Sequence, residues 1–439
     1  MANLETLVAL AKRRGFIYPG SDIYGGLAGT WDYGPLGVAL KNNIKNLWWQ
    51  HFVTGREDMY GVDTAILMNQ KVWQASGHVA SFSDPLPLRS DLESEPRSDL
   101  KNPKSQGLTL KQFNLMFETK IGATGDAAIT YLRPETAQGM FVNFKNVVDS
   151  FHPRLPFGLA QIGKAFRNEI APRDFLFRAR EFEQMEIEYF VKPTDWSEQF
   201  DYWHQEMLGW FNDLGLVTTK LHELEVPDGE RAHYSNQTID FEFDFPFGRK
   251  ELAGLAYRTD FDLKNHSQIS TVDLSYYDEE TKERLIPHVI EPTFGLDRLI
   301  LAILTNAYTE DELGGEKRVF LKLSPQLAPV TAAVFPLLKN KPELVAKARS
   351  VFDQLKASPY QLKAIFDDNG NIGKRYRRQD EIGTPYCVTI DFQTLENGTV
   401  TVRARDTGAQ VRVATDELID HLNKKAPISV VDGHRSASG

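Results

Sequence analysis

Apolar and polar residues alternate along two neighbouring stretches within residues 158–190, and a break at 171–174 separates the two. Alternation with a period of two is typical of strands with one buried face, so these stretches predict a long antiparallel hairpin. In the second stretch Met185, Ile187 and Tyr189 share one parity. We expect these three side chains in the core and the polar residues on the opposite face.

Further patterns of the same kind surround the hairpin. A helix is expected near the N-terminus, and a second one from Pro35 to about Val53, because Gly-Pro suits a first helical turn. Strand patterns cover residues 59–66, 238–245, 252–259 and 289–292, and an apolar helix covers 299–304. Strands dominate the centre and helices surround them, which predicts an α+β fold with a mainly antiparallel sheet flanked by helices.

The pattern changes after Gly314-Gly315, where strands and helices begin to alternate. Strands are expected at 319–321, 361–366, 387–392 and 400–405, and helices at 341–355 and 372–382. This alternation predicts a small α/β domain with a mixed sheet. We therefore expect a first domain at 1–315, a second at 316–425 and a polar tail at 426–439. Within the first, the proline-rich polar stretch 83–104 is expected to be an insertion without a core of its own.

Composition narrows the class of protein. Hydrophobic residues make up 41% and charged residues 25% of the 439 positions, as in globular chains. The single cysteine, Cys387, excludes a disulfide framework within the chain and a cysteine zinc site, and it predicts a reducing, cytoplasmic compartment. No apolar run reaches the ~18 residues of a membrane span, and the N-terminal helix lacks the apolar run of a secretory signal, so no membrane contact is expected.

Charge is distributed unevenly along the chain. The net charge is −10, yet residues 317–430 hold 18 Lys and Arg against 12 Asp and Glu, so this region is +6 and the rest −16. A basic module on an acidic body can bind a polyanion, but the same asymmetry would also serve solubility alone. Its densest cluster is Lys374, Arg375, Arg377 and Arg378. On a helix all but Arg375 share one side, which could face RNA phosphate or simply solvent.

The polar face of the hairpin has an unusual composition. Arg167 and Glu169 are two apart and share a face, and Arg178 shares the parity of Phe182. An ordinary two-faced sheet with solvated charges is one interpretation. The other is a nucleotide site, because an arginine fork grips phosphate and an aromatic ring stacks on a base. No phosphate-binding loop or Rossmann glycine pattern accompanies it.

These residues also resemble a known family. The stretch 166–169 followed by 178–182 resembles the second signature of the class II aminoacyl-tRNA synthetases. Residues 295–298, at the start of an apolar helix, resemble the third, and the Pro35 helix with strand 59–66 resembles the first. The first signature forms the dimer interface in that family, so the resemblance implies a homodimer.

Longer matches resemble the homodimeric glycyl type of this family. The matching stretches are residues 31–37, 132–139, 178–188, 258–263 and 289–298. They occur in the same order as in that family, and the resemblance extends over about residues 3–425. The resemblance implies a ligase that attaches glycine to tRNA(Gly) through glycyl-adenylate, with ATP and Mg²⁺. It also implies that the basic module is the anticodon-binding domain shared with the threonyl, prolyl and histidyl enzymes.

The resemblance assigns residues to both substrates. The expected ATP site comprises Arg167, Asn168, Glu169, Phe177, Arg178, Phe182, Glu251, Leu252, Gly295 and Arg298. The catalytic arginines would hold the α-phosphate (Arg167), the bent triphosphate (Arg178) and the γ-phosphate (Arg298), so catalysis would rest on positioning and charge neutralisation. Glu169 would contact the adenine edge, Phe182 would stack on the ring, and Glu251 would bind Mg²⁺.

The expected glycine site comprises Arg89, Glu135, Phe182, Gln184, Glu186, Arg258, Glu291 and Thr293. Glycine has no side chain to recognise, so its site should bind the ammonium with carboxylates and the carboxylate with an arginine, and exclude larger residues sterically. Position 293 departs from the family, which usually has Ser there, and the extra methyl could crowd Cα. The cysteine cluster that binds zinc in many relatives is absent near residues 83–95.

Two alternatives stay open at this point. A catalytically inactive paralogue could serve as a nucleic-acid-binding accessory subunit, but it would not need Arg167, Arg178 and Arg298. A synthetase for another small amino acid would keep those arginines, but it would not need the glycyl-type stretches around Glu135 and Glu291.

Overall fold

The computed structural model describes residues 3–87, 110–123, 128–216, 219–232, 234–360 and 362–425. The predictions for Arg89, for the tail at 426–439 and for most of the 83–104 insertion lie outside this part of the chain. The start of that insertion, Ser83–Pro87, forms an antiparallel pair with Leu110–Asn114. Across the described ranges, no helix is both long and apolar enough to span a membrane.

The helices begin where the sequence offers suitable caps. The side chain of Asn3 accepts the backbone N–H of Thr6 at the first helix, and Pro35 occupies the first turn of the second. The described α-helices are Leu4–Arg13 (α1), Pro35–Trp49 (α2), Gln70–Ala75 (α3), His78–Ser81 (α4), Ala137–Phe151 (α5), Trp196–Asp213 (α6), Phe261–Ser270 (α7), Leu296–Ala307 (α8), Pro342–Lys356 (α9), Ile372–Ile382 (α10), Phe392–Asn397 (α11) and Leu418–Lys425 (α12).

A seven-stranded sheet forms the centre of the molecule. The described strands are Ile17–Pro19 (β1), Trp31–Tyr33 (β2), Met59–Gly61 (β3), Ser83–Pro87 (β4), Leu110–Asn114 (β5), Glu118–Ile121 (β6), Ala128–Tyr131 (β7), Phe157–Phe166 (β8), Glu181–Val191 (β9), Leu221–Glu225 (β10), Gln237–Phe245 (β11), Gly248–Thr259 (β12), Tyr276–Asp278 (β13), Glu283–Leu285 (β14), His288–Gly295 (β15), Tyr308–Leu313 (β16), Glu316–Leu321 (β17), Ala332–Pro336 (β18), Ala364–Phe366 (β19), Tyr386–Ile390 (β20), Thr399–Ala404 (β21) and Gln410–Ala414 (β22). The central order is β10-β11-β12-β15-β9-β8-β3. All neighbours in it are antiparallel except β3 and β8, which confirms the predicted α+β class.

The central sheet buries one face against α2, α6 and α8. Met185, Ile187 and Tyr189 of β9 belong to this core, as predicted, and Trp48 of α2 and Trp203 of α6 are completely buried in it. On the opposite face, α5 and α7 pack over one end of the sheet. Side chains of the other parity on β9, β11, β12 and β15 therefore line an open cleft beyond those two helices.

A smaller sheet follows in the order β19-β18-β20-β21-β22. Strand β18 is parallel to both of its neighbours, whereas β20, β21 and β22 pair antiparallel, which confirms the predicted mixed sheet. Helix α9 packs on one face through Leu344 and Val351. Helix α10 packs on the other, where Tyr376 contacts the layer that holds Phe335 and Cys387. Strand β18 was not predicted, since five apolar residues carry no periodicity that separates strand from helix.

The predicted hairpin is shorter than its pattern suggested. Strands β8 and β9 pair only from Phe157 to Phe166 and from Glu181 onward, so 167–180 forms a long connection and Arg167 and Glu169 follow the strand. The ladder ends there because the backbone N–H of Arg180 donates to the carbonyl of Gly29, at 2.8 Å, in a different segment.

One other predicted boundary differs from the structure, and the glycine pair at the expected domain boundary, which stays a prediction, has a local role. The strand expected at 59–66 extends only over Met59–Gly61, where it runs beside β8. Gly314 and Gly315 form the tight turn of the β16–β17 hairpin, and both have positive φ, which suits glycine.

Candidate functional site

A cleft of about 360 Å³ lies over the open face of the central sheet. Most of the residues expected at the two substrate sites line it, from strands, connections and a helix start that are far apart in sequence. The expected residues found in its walls are Glu135, Arg167, Glu169, Phe177, Arg178, Phe182, Gln184, Glu186, Glu251, Leu252, Glu291, Thr293, Gly295 and Arg298. Asn168 and Arg258 do not line it, and Arg89 lies outside the described residues.

Arg167 is held at one side of the cleft by its surroundings. Its guanidinium lies 5.3 Å from the ring centre of Phe82 and 5.2 Å from that of Phe182, so it is placed between two aromatic rings. Its Nε donates to the carbonyl oxygen of Pro134 at 3.1 Å. These contacts fix the plane of the fork, and cation–π attraction adds to the hold.

Arg298 approaches from the first turn of α8. Its Nη1 donates to the backbone oxygen of Glu251 and lies 3.1 Å from the Oε2 carboxylate atom of the same residue. The guanidinium also stands 4.4 Å from the ring centre of Phe177. A cation beside the positive end of a helix makes this wall of the cleft suited to phosphate.

Arg178 belongs to the 167–180 connection. Its Nη2 forms an ion pair with Asp84 at 3.0 Å, and its Nε donates to the carboxylate of Glu169. Glu169 was expected to contact the adenine edge. In the structure its carboxylate is paired with Arg178, which is itself expected to bind phosphate. Asn168 has a backbone role, since its N–H donates to the carbonyl of Leu115 at 2.7 Å.

A second carboxylate lies in the same wall as Glu251. Asp240 lines the cleft from the neighbouring strand β11, opposite Gly254 of β12. Burial and then the charges of Glu251 and Glu242 raise the pKa of Asp240 to about 7. Crowded carboxylate oxygens are the ligands that Mg²⁺ prefers. Asp240 was not predicted from the sequence, although Asp240 and Glu242 share one parity of a predicted strand.

Arg258 and its partners lie behind the opposite end of the cleft. Two nitrogens of Arg258 donate to the two oxygens of Asp262 at 2.8 Å each, and a third donates to Glu291 at 2.7 Å. The register of β12 shifts at this residue, so a bulge directs the arginine toward the cleft face. The side chain is only 1% exposed, and Glu291 stands between it and the cleft.

Glu186 forms the centre of this end. The hydroxyl of Thr293 donates to its Oε1 at 3.0 Å, and the hydroxyl of Thr136 donates to its other oxygen. Burial, followed by the charge of Glu135, raises the pKa of Glu186 above its ordinary value. Beside it, the side-chain carbonyl oxygen of Gln184 is buried and accepts no hydrogen bond from any residue that the structure describes. That oxygen is suited to a donor on a bound molecule.

Glu135 enters the site from the segment before α5. Burial would raise the pKa of Glu135, but His78 and then Arg258 outweigh it and lower that pKa. The Nε2 atom of His78 lies 3.3 Å from Glu135, and Gln138 donates to the carboxylate at 2.9 Å. Gln138 also donates to Asp262 at 3.0 Å, which joins the two acidic partners. His78, Gln138 and Asp262 were not predicted, because no local pattern connects positions so far apart.

The cationic cluster of the C-terminal module is only partly exposed. Arg375 is buried and donates to the carbonyls of Asp368 and Gly370 at 2.9 and 2.7 Å. Arg378 pairs with Asp367 at 2.7 Å, whereas Lys374 is exposed. Arg375 therefore anchors the start of α10. Lys374, Arg377 and Arg378 lie on the side of this helix that was predicted to face RNA or solvent.

Comparison with known proteins identifies the family of this chain. Residues 124–307 match the model of the tRNA synthetase class II core domain (G, H, P, S and T), and residues 331–425 match that of the anticodon binding domain. The chain is 47% identical to a protein named glycine–tRNA ligase from Caldanaerobacter subterraneus, over 96% of this chain and 98% of the relative. Relatives of the same name from Staphylococcus epidermidis and Thermobifida fusca are also 47% identical, over 96% of this chain and 99% and 98% of theirs. The chain belongs to the glycine–tRNA ligase family of class II tRNA synthetases.

Proposed function

We propose that this protein uses ATP to attach glycine to tRNA(Gly), with glycyl-adenylate as the intermediate. One observation carries the proposal: a cleft with Arg167, Arg178 and Arg298 at one end continues into a pocket of buried carboxylates at the other. Arginine forks suit a triphosphate, and carboxylates suit the ammonium of an amino acid.

In the first step the glycine carboxylate attacks the α-phosphorus of ATP, and pyrophosphate leaves. Both reactants are anions, so the protein has to position them and neutralise charge. Arg167 contacts the α-phosphate and Arg298 the γ-phosphate, and Arg178 holds the bent triphosphate. Phe182 stacks on the adenine ring. Binding of ATP exchanges the present partners of Arg178 and Arg298 for phosphate oxygens.

Mg²⁺ is expected at Glu251 together with Asp240. Both offer carboxylate oxygens, and the pKa of Asp240 is raised by burial and then by the charges of Glu251 and Glu242, which a divalent cation offsets. The ion, when bound, neutralises phosphate charge. The protein's own contribution there is to keep the two carboxylates on neighbouring strands, beside Arg298.

The glycine end binds the ammonium group through the carboxylates of Glu135, Glu186 and Glu291 and the carbonyl oxygen of Gln184. Arg258 keeps Glu291 in place from behind, so we assign it a positioning role and do not carry over the contact with the glycine carboxylate that the resemblance implied. Thr293 orients Glu186 through its hydroxyl. A larger amino acid is excluded because its side chain would need the space above Cα that these groups surround.

In the second step the terminal ribose hydroxyl of the tRNA attacks the glycyl carbonyl carbon of the adenylate. The bond from that carbon to the phosphate oxygen breaks, AMP leaves, and the hydroxyl proton is released to solvent. We assign the basic region 316–425 to the anticodon and the region 1–315 to catalysis, with Lys374, Arg377 and Arg378 as a phosphate-facing side. By family resemblance the protein acts as a homodimer in the cytoplasm.

The test is amino-acid-dependent exchange of pyrophosphate into ATP, with glycine, alanine, serine, threonine and proline measured in parallel. Exchange with glycine alone is expected. Exchange with another amino acid would keep the class and replace the substrate. The absence of exchange with every amino acid, from folded protein with Mg²⁺, would contradict the proposal and favour an accessory subunit.

A further inference from the structure

Glu188 is a buried acid that the proposed mechanism leaves without a task. It lies on β9, two residues beyond Glu186, and is 0% exposed. Neither oxygen of its carboxyl group has a hydrogen-bond partner within the described ranges of the chain. An ionised carboxylate in such a position is costly, because neither water nor a donor replaces its lost hydration.

Glu188 is also close to two other acids. One carboxylate oxygen from each of Glu186, Glu188 and Glu291 lies within 4.8 Å of the others. Glu186 has its threonine donors and Glu291 has Arg258, so Glu188 is the member of this group without a partner. Three carboxylates this close cannot all ionise at low cost. Burial raises the pKa of Glu291 well above its ordinary value too, but Glu291 has the Arg258 guanidinium at 2.7 Å. The proton is therefore placed on Glu188, which no donor stabilises.

Most of the charged groups around Glu188 are negative. The charged groups that face it are Glu186 on its own strand, Glu291 on β15, Arg258 on β12 and Asp262 on α7, while β8 presents apolar Leu159. Further out stand Glu135 with His78, Arg133 beside Glu186, His266 on α7 and the phenol of Tyr234. Arg258 is already shared by Asp262 and Glu291, and its charge does not outweigh the effect of burial and of Glu291 on the pKa of Glu188.

We propose that Glu188 carries a proton while the amino-acid site is empty, and that the ammonium group of glycine drives this proton off, so that glycine binding releases a proton to the solvent. The inference rests on the proposed function. The incoming ammonium group brings one positive charge next to Glu186 and Glu291 and stays intact. The O–H bond of Glu188 breaks, its electron pair remains on the carboxylate, and the buffer accepts the proton.

The titration of Glu188 agrees with this geometry. Burial, followed by the charge of Glu291, raises the pKa of Glu188 well above the ordinary carboxyl value. At pH values between the ordinary carboxyl pKa and the raised pKa of Glu188, Glu188 is protonated in the empty site and ionised in the glycine-bound site. Glycine must displace a proton in that window, so its affinity rises with pH, by at most about tenfold per pH unit.

The experiment is calorimetric titration of the full-length protein with glycine in buffers of different ionisation enthalpy at one pH. Wild-type protein is expected to release up to about one proton per glycine bound. Glu188→Gln keeps the shape of the protonated acid but has no proton to give, so the release is expected to disappear. Glu181→Gln is the matched control, because Glu181 lies on the same strand, paired with exposed Lys164, and should behave as wild type.

A second readout separates this role from a structural one. Glycine KM in pyrophosphate exchange should be nearly equal for wild type and Glu188→Gln at low pH and diverge as pH rises. A structural defect would instead shift KM by the same factor at every pH. Equal proton release by both proteins, or none by wild type, would overturn the proposal.

If Glu188→Gln does not fold, the wild-type profile decides. A glycine KM that does not fall as pH rises above the ordinary carboxyl pKa, with ATP KM as the internal control, contradicts the inference. Wild-type protein that shows no exchange with glycine at all contradicts the proposed function instead.

Discussion

Single side chains in the cleft are oriented before any substrate arrives. Arg167 is placed by two rings and one carbonyl, and Arg298 by a ring and the backbone of Glu251. Such placement limits reorganisation to an exchange of partners, because each guanidinium already lies in the wall of the cleft where phosphate charge must be neutralised. The contribution of each arginine to catalysis therefore depends on the neighbours that orient it as well as on its own charge.

Replacement of Arg167 tests this idea. We expect Arg167→Ala to lower kcat/KM for glycine-dependent pyrophosphate exchange by ~100-fold or more, equivalent to about 3 kcal/mol. Arg167→Lys keeps the charge but loses the fork, so its loss should be intermediate. Thermal unfolding should stay near that of wild type in both. Exchange at the wild-type rate in the alanine variant would remove Arg167 from the mechanism.

Thr293 permits a finer test at the same scale. Its hydroxyl donates to Glu186 at 3.0 Å, and valine has nearly the same shape without the donor. Thr293→Val should raise the glycine KM about 5- to 100-fold, since a buried acceptor left unpaired costs about 1–3 kcal/mol. Thr293→Ser retains the hydroxyl and should bind glycine as wild type does. Similar KM values for the two variants would show that the hydroxyl is dispensable.

The ATP side of the cleft depends on how one loop is supported by another. The 167–180 connection carries Arg178, and its end is bonded to the chain at Gly29 through the backbone of Arg180. A side chain on Gly29 would place its Cβ 2.5 Å from Cβ of Pro172, and Gly29 has a φ of +75°. The segment before β2 thus supports the loop at a contact distance that only glycine allows.

Two glycine variants separate strain from contact. Gly29→Ala is expected to raise the ATP KM about tenfold or more, because the clash moves the connection that positions Arg178. Gly25→Ala is the matched control: its φ is +88°, so the backbone strain is similar, but nothing lies within 4 Å of the added Cβ. Steady-state pyrophosphate exchange at varied ATP measures both. An equal effect of the two substitutions would mean that the contact with Pro172 is unimportant.

At the scale of the whole molecule, a buried network joins the hairpin after α8 to the second sheet. Asp380 of α10 is 0% exposed and accepts from Arg403 of β21 at 2.9 and 3.0 Å and from Arg318 of β17 at 3.2 Å. Arg318 also pairs with Asp311 of β16. On the other side of the junction, Asn43 of α2 donates to the carbonyl of Leu327 at 2.9 Å. These polar contacts thus connect the β16–β17 hairpin to α10 and the second sheet, and α2 to the segment before β18.

This network should be sensitive to the loss of its central charge. Asp380→Asn leaves the buried guanidinium of Arg403 without its counter-ion and takes one of two from Arg318, which keeps Asp311. We expect a loss of about 3–5 kcal/mol of unfolding free energy for the C-terminal module. The comparison is Asp353→Asn, at an exposed position of α9. This substitution should change the unfolding free energy by less than ~0.5 kcal/mol. Chemical denaturation followed by tryptophan fluorescence and circular dichroism measures both. Equal midpoints would show that the arginines find other partners.

Sequence alone determined the elements whose pattern is local. Period-two alternation located β9, β11 and β12 and the core-facing side of β9, and the strand–helix alternation after residue 315 identified a mixed sheet. The motif residues Arg167 and Arg298 could be named for the same reason: each motif is a short run whose spacing is visible without knowing what lies next to it.

Tertiary structure decided everything that depends on register, burial or a bulge. Asp240 stands beside Glu251 because β11 pairs with β12, and Arg258 lies behind Glu291 because β12 shifts register there. Glu188 has the same residue type and strand parity as Glu186, and only the fold leaves one with donors and the other without. The sequence specifies which groups exist, but their charges and roles follow from which neighbours the packed sheet brings within a few ångströms, and no local pattern encodes that.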